Sequence, residues 1–350
     1  MHSLVRNAIK ILSAAVIFLT LLAYISPEVD PATFRWLAFF GTAFPWLLLA
    51  NLILAGVWAW RRNRFALYHV GILAFGWSYL TAFVGLDMER DRIPEGSFTV
   101  ATHNVGGVWR GQHHITDSMR EKTAERYARF WKQNGKPDVL CLQEIGSKFY
   151  HLLNDKLGYE YTFNLKKGTV IFSRFPIEAG GEIPFGNNTG NSSLWGDIRI
   201  GKKLVRFYNV HFQSNKVAVT TEKVIENPEL DDRDTWREIG GVLNRVGGAT
   251  SVRSDQARRV REHLVASPNP VIICGDFNDT PNSYVYARIS EGLTDTFREK
   301  GLGLGTTFAG ALPLLRIDYI LTEKTCRTFA CRVIHGGESD HYPVVTALGF

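Results

Sequence analysis

Hydrophobic and polar positions divide the chain near residue 90. Before that point three apolar runs follow one another, at residues 11–25, 36–60 and 65–86. The first is nearly free of polar groups. The second is interrupted only by Pro45, Asn51 and small residues, and the third carries His69 and no formal charge. A helix needs about 20 apolar residues to cross the hydrocarbon core. The second and third runs meet that length, and the first is marginal alone. Core helices of soluble proteins keep one polar face, which these runs lack, and no small-x-small cleavage site follows residue 25. The pattern predicts a membrane anchor over residues 1–90 with about three transmembrane helices, meeting the lipid bilayer through residues 11–86. A cleaved signal peptide over the first run and a buried helical core are the alternatives. Arg6 and Lys10 precede the first run, Glu28 and Asp30 follow it, and Arg61, Arg62 and Arg64 separate the second from the third. The positive-inside rule then makes the chain an integral membrane protein with everything after the third run on the non-cytoplasmic side.

Residues 91–97 read as a polar linker, and residues 98–350 as a second domain. Short β-rich runs recur there, at 98–103 (FTVATH), 139–143 (VLCLQ), 169–172, 197–200, 205–210 (VRFYNV), 271–274 (VIIC), 316–321 and 332–334. Helical periodicity occupies residues 116–134 and 254–265. This mixture predicts a layered α/β sandwich rather than a doubly wound parallel sheet.

Composition refines the picture. With 45% hydrophobic residues among 350, the chain can bury a sizeable core, so wholesale disorder is excluded. Four cysteines, none in a CxxC pair, exclude a disulfide scaffold and argue against a thiolate zinc site. Cys141 and Cys274 read as buried thiols in core strands, while Cys326 and Cys331 leave a disulfide open. The net charge of +6 suggests a nucleic-acid binder until it is divided. Residues 1–90 hold seven Lys/Arg and four Asp/Glu, which leaves 33 bases against 30 acids for the rest. The second domain is therefore close to balanced.

Chemistry gathers where the predicted strands end. Asn104, Glu144, His211 and the Asp276/Asn278 pair follow such runs, Asp318 lies within one, and Ser339-Asp340-His341 comes near the C-terminus. Polar groups at strand ends can converge on one rim of a sheet, where a rigid scaffold holds them. Singly, each has a plainer explanation as a turn or cap residue. The segment 279–283 (DTPNS) reads as a cleft-lining loop or a helix cap. Residues 214–254, with Asp231-Asp232-Arg233-Asp234 and two Gly-Gly pairs, read as a lid or a solvated insertion. Arg258, Arg259 and Arg261 read as one helix face.

Taken together, HNV (103–105), LQE (142–144), NVH (209–211), GDFN (275–278), RIDYIL (316–321) and SDH (339–341) resemble the endonuclease/exonuclease/phosphatase superfamily. Its members include exonuclease III-like endonucleases, pancreatic-type deoxyribonuclease, neutral sphingomyelinases and inositol polyphosphate 5-phosphatases. The resemblance implies a four-layer α/β sandwich, two packed mixed β-sheets flanked by helices, preceded here by the transmembrane helical segment. It implies hydrolysis of a phosphodiester by activated water with Mg²⁺, or Mn²⁺ in its place. In this resemblance Glu144 matches the principal metal ligand, Asn104 supports metal and phosphate, and Asp340 is an additional metal-site residue. Asp276 resembles the group that orients or deprotonates water, and Asn278 matches the amide holding a phosphate oxygen. His341 matches the histidine at the scissile phosphate, with Asp318 as its carboxylate partner. His211 matches a substrate-binding position and candidate acid for the leaving group. The substrate stays open between nucleic acid, as for a nuclease or general phosphodiesterase, and a phospholipid headgroup, as for a sphingomyelinase. A non-catalytic, membrane-anchored binding module is the third reading. No protein partner is inferred.

Overall fold

Alternation along the central strands builds the core. The computed structural model describes residues 2–88, 92–106, 116–186, 191–215, 233–310 and 314–350. In Val139–Gln143, Val139 and Cys141 face one cluster while Leu140 and Leu142 face another, as period-two side chains must. The strand is buried on both faces, so the sheet has a layer on each side.

One six-stranded sheet runs Arg327–Val333 (β13), Val344–Gly349 (β14), Phe98–Asn104 (β2), Val139–Gln143 (β3), Val170–Ser173 (β5), Tyr161–Asn164 (β4). The other runs Leu293–Asp295 (β10), Asp318–Glu323 (β12), Val271–Asp276 (β9), Lys203–His211 (β8), Ser192–Ile200 (β7), Ile177–Glu182 (β6). Both are mixed, with β2·β3 and β8·β9 parallel at their centres. Phe98, Val100, Ile171, Phe207, Ile272 and Ile320 pack between the sheets. Helices Asp117–Asn134 and Ser147–Leu157 cover the outside of the first sheet through Tyr127, Trp131, Phe149 and Leu153. Helices Arg233–Val265 and Tyr284–Ser290 cover the second through Val260, Leu264, Val285 and Ile289. The result is the four-layer sandwich.

All four cysteines are free and lie in the core between the sheets, so Cys326 and Cys331 form no disulfide. The helix predicted at 254–265 begins at Arg233, although its first part carries Gly-Gly pairs. One of those glycines has a packing role. A Cβ at Gly247 would stand 2.9 Å from Cδ of Arg35, so the helix lets the N-terminal segment lie against it. Asp231 and Asp232, and with them the lid reading, fall outside the described residues, as does Asp91 of the linker.

The apolar runs differ from expectation in which one is long. The first gives one helix able to cross a membrane, Leu4–Glu28. The others reach that length only as bent pairs: Pro31–Thr42 with Phe44–Trp60 at 45°, and Phe65–Phe75 with Trp77–Phe83 at 70°. Pro45 opens the second member of the first pair, where proline can start a helix but not continue one. At the second bend Tyr24 donates its hydroxyl to Ile72 O at 3.0 Å. A Cβ on Gly76 would lie 1.9 Å from that hydroxyl. The Ile72 carbonyl keeps its bond from Gly76 N, so Tyr24 fills the space that Gly76 leaves at the bend without breaking the ladder. Asn51 ties the runs together, donating to Thr20 Oγ1 and lying 2.8 Å from His69 Nδ1.

One end of this helical group docks on the sandwich. Asn282 Nδ2 donates to Ala23 O at 2.9 Å, in the last turn of the first helix, where carbonyls lack intrahelical partners. Buried Arg316 donates to Ala82 O at 2.5 Å and pairs with Asp295. Val84–Leu86 (β1) pairs antiparallel with Leu302–Leu304 (β11). Asn282→Ala is expected to lower stability by about 1–3 kcal/mol, the cost of leaving a buried acceptor unpaired. Thermal unfolding of the full chain in detergent would read this as a lower Tm. An unchanged Tm would show that this contact contributes nothing to the dock.

Candidate active site

The strand register assembles the site. His211 at the end of β8 lies opposite Asp276 at the end of β9, and Asp276 lies opposite Asp318 at the start of β12. The three form one row across the second sheet. In the first sheet Asn104 ends β2 opposite Gln143, and Glu144 follows directly. Ligands of open α/β sheets gather at such carboxyl ends of parallel strands.

Asp276 is the hub. It is 1% exposed, and its oxygens accept from Asn278 N at 2.7 Å, Asn278 Nδ2 at 3.0 Å and Asn104 Nδ2 at 2.9 Å. The Asn104 amide also donates to Glu144 Oε1 at 3.1 Å, so one side chain joins both sheets and both carboxylates. Its Oδ1 accepts from Gly106 N. Asn278 also donates to Phe212 O. His211 Nε2 stands 3.5 Å from Glu144 Oε1 and 3.9 Å from Asp276 Oδ2. His341 Nδ1 donates to Asp318 Oδ2 at 2.9 Å, which leaves its Nε2 turned to Asp276 Oδ2 at 3.8 Å. Asp340 is linked through Ser339, whose Oγ lies 3.4 Å from Asp340 Oδ1 and donates to Asn104 O at 2.8 Å.

Backbone strain marks the same spots. Glu144 and Asn278 hold positive φ of 55° and 53°, conformations that side chains adopt at a cost and that cluster at functional sites. Gly275 has φ 138°, and a Cβ there would meet Val210 O at 2.0 Å. Glycine is thus required in the GD step for β9 to approach β8.

Electrostatics separates two titrating groups. Burial pushes Asp276 up, helped by the Asp318 charge and opposed by His341, His211 and Asn104, to about 6. Burial would hold His341 down, but the Asp318 and Asp276 carboxylates outweigh it and push it up to about 10. The result is an imidazolium between two acids, one of which is a base with a pKa close to neutrality.

The site fits a hard divalent cation. Ligand atoms of Asp276, Asp318 and His341 lie within 4.8 Å of one another. The buried Asp318 Oδ1 has no hydrogen-bond partner among the described residues. Donors are carboxylates and one imidazole, without thiols, a set that suits Mg²⁺ or Mn²⁺. Glu144 borders this group through Asn104 and His211.

Every site residue expected from sequence lies in or beside this constellation, Asp340 by way of Ser339. Other participants lacked a sequence signal for their roles. Burial holds His103 at about 3, hence neutral. Its Nε2 donates to His341 O at 3.1 Å, and its Nδ1 accepts from Tyr127 Oη. Thr307 Oγ1 receives the Ile317 and Asp318 amides. Gly106 leaves room for Glu144, since a Cβ would lie 2.0 Å from its Oε2. Gln143 and Asn209 bond each other at 2.7 Å between the sheets. His103, Gly106, Gln143 and Asn209 stand in or beside the motifs, which was the available hint.

Comparison with known proteins agrees with this geometry. Crystal structures with the same fold include humanized D. rerio TDP2, at 16% identity and TM-score 0.52, covering 73% of this chain and 100% of that one. A mannosyl-6-phosphatase of Bacteroides thetaiotaomicron aligns at 18% identity and TM-score 0.50 over 73% of this chain and 100% of its own. The Ccr4 3'-5'-exoribonuclease subunit of the CCR4-Not complex of Coccidioides immitis is 30% identical over 90 residues, 26% of this chain but 12% of that protein. Residues 6–83 match the model of a domain of unknown function (DUF8431). Residues 101–341, more than half of the chain, match the model described as the Endonuclease/Exonuclease/phosphatase family, and the chain belongs to that family of phosphoester hydrolases.

Proposed function

We propose that the chain is a membrane-anchored, Mg²⁺-dependent phosphodiesterase, with Mn²⁺ able to substitute, that attacks its ester with a water activated at Asp276. The observation that carries this reading is the buried row His211–Asp276–Asp318, closed by His341 and bridged to Glu144 by Asn104. Glu144, with Asn104 and Asp340, would hold the cation on the flank of the Asp276–Asp318–His341 group, whose own atoms are engaged in the Asp318–His341 bond and in proton transfer. When bound, it supplies charge neutralisation on the phosphoryl oxygens and acidifies water. Asp276 takes the water's proton, with its carboxylate oriented by Asn278 and Asn104. The His341 imidazolium, fixed by Asp318, stabilises negative charge at the phosphoryl group, and His211 protonates the leaving oxygen. A nuclease would belong to the same chemistry. However, residues 91–350 carry 33 bases against 30 acids, a weak basis for the clustered cations that give nucleic-acid affinity. The complete constellation argues against a non-catalytic module.

Asp276→Ala and His341→Ala are each expected to cost at least ~10²-fold in turnover. Hydrolysis of bis-p-nitrophenyl phosphate by the full chain should vanish with EDTA and in Glu144→Ala; near-wild-type rates from the mutants would sink the mechanism. Asp318→Asn tests the His341 role through pH. His341 is held up by neighbouring carboxylates, so its proton is lost, and turnover with it, as pH rises through its pKa. Removing the Asp318 charge lowers that pKa, and the alkaline limb should move down by at least about one pH unit. An unmoved limb would detach His341 from it. The charge pattern supports a non-cytoplasmic catalytic domain. An alkaline phosphatase fusion after Leu86 should then be active, and an inactive one would reverse the orientation.

A further inference from the structure

The dock between the apolar helices and the sandwich lies beside the catalytic rim. The segment after Asn278 meets the helices directly: Thr280 Oγ1 donates to Gly41 O at 3.4 Å and Asn282 to Ala23 O. A Cβ at Gly41 would stand 2.3 Å from Asn282 O, so the contact is backbone to backbone. On the other flank Arg316, two residues before Asp318, holds Ala82 O. Asp276 and Asp318 each stand four or fewer residues from such a contact, at most about 15 Å along the chain. The docked end also carries exposed aromatics, Phe34, Trp36 and Trp77, residues of the kind that settle at headgroup level.

Next to it the β1·β11 ribbon presents an apolar face that is exposed among the described residues. The register sets Leu86 opposite Leu302 and Val84 opposite Leu304, so these four share one side. Leu86, Leu302 and Leu304 are each more than half exposed. The ribbon's first strand continues without a break from helix Trp77–Phe83, so its face adjoins the anchor itself.

We propose that this ribbon is an interfacial foot, seated on the bilayer beside the anchor, which holds the catalytic rim at the headgroup layer so that the phosphodiester hydrolysed is one carried by a membrane lipid. The headgroup layer is about 5–8 Å deep on each side, within the reach set by the docked loops. One water is consumed: its oxygen bonds phosphorus, the phosphorus–oxygen bond to the leaving alcohol breaks, and an alcohol and a phosphomonoester result. The proposal rests on the phosphodiesterase reading above.

The test uses the full chain reconstituted with Mg²⁺ in vesicles of phosphatidylcholine and phosphatidylglycerol. Lipid cleavage is followed beside three soluble substrates: the deacylated glycerophosphodiesters, bis-p-nitrophenyl phosphate and duplex DNA. Vesicle lipid should turn over at least about tenfold faster than its deacylated counterpart at matched phosphodiester concentration. The double variant Leu302→Glu, Leu304→Glu should lower the ratio of vesicle-lipid to bis-p-nitrophenyl phosphate turnover by about tenfold. Turnover of the soluble ester reports that the variant is folded. Cleavage of bis-p-nitrophenyl phosphate with none of lipid would overturn the proposal and leave the phosphodiesterase reading standing. Preferred cleavage of DNA, or of the deacylated esters, would replace the membrane source with a nucleic acid or a soluble ester. An unchanged ratio in the double variant would remove the foot. Inactivity toward every substrate would defeat the phosphodiesterase reading, and this proposal with it.

Discussion

Burying the Asp276 carboxylate constrains everything around it. A charge removed from water is costly unless neighbours replace the lost hydrogen bonds. Here Asn278 from the following turn and Asn104 from the other sheet supply the hydrogen bonds, while His211 and His341 from flanking elements stand 3.9 and 3.8 Å away. They can be present together only if the two sheets close over each other in one register. A slip of one residue in β9 would turn Asp276 to the opposite face and strand its partners. The Gln143–Asn209 pair beneath the site acts in the same way, because a polar bond inside an apolar interlayer tolerates no displacement. Site geometry and sheet packing are thus one solution to one problem.

Much of this was legible because chemistry sits where the strong pattern stops. VLCLQ reads as a strand residue for residue, and VIIC marks the strand whose next residues carry Asp276. What stayed hidden depends on partners distant in sequence. β6 (IEAGGE) and β1 (VGL) contain glycines that weaken intrinsic strand preference. They exist through pairing with β7 and β11. The Gly-Gly pairs of helix Arg233–Val265 suggest a break when read locally, yet the helix continues through both, and at Gly247 the missing side chain admits Arg35. His103 and Thr307 act through a second residue, and no pattern along the chain records that.

Hydropathy ranked the apolar runs by length and composition, which is silent about how they bend. The bends come from contacts. Tyr24 packs against the bare backbone of Gly76, and Pro45 starts a new helix after Thr42. Both accommodate polar or rigid groups inside a mostly apolar bundle, and Asn51 links the three runs as interhelical hydrogen bonds do where no water competes.

Two buried arginines show how closely the helical group and the sandwich are joined. Arg253 pairs with Asp279 and reaches Gln213 O and Asn215. Arg316 pairs with Asp295, reaches Ala82 O and lies between the rings of Phe297 and Tyr319. Buried ion pairs seldom add net stability over apolar packing, but removing one partner leaves an expensive orphan. Their contribution is specificity of arrangement. Arg253 holds the start of the 279–283 loop, and Tyr319 Oη lies 2.8 Å from Asp279 O and 2.7 Å from Arg316 O, its one proton shared between them, linking the two arginine sites. Through Arg316 that linkage ends on a carbonyl of the helical segment. The shift in composition near residue 90 is therefore a boundary of sequence and not of packing. The loop that follows Asp276 is held from one side by the sandwich and from the other by the apolar helices, so its conformation depends on both.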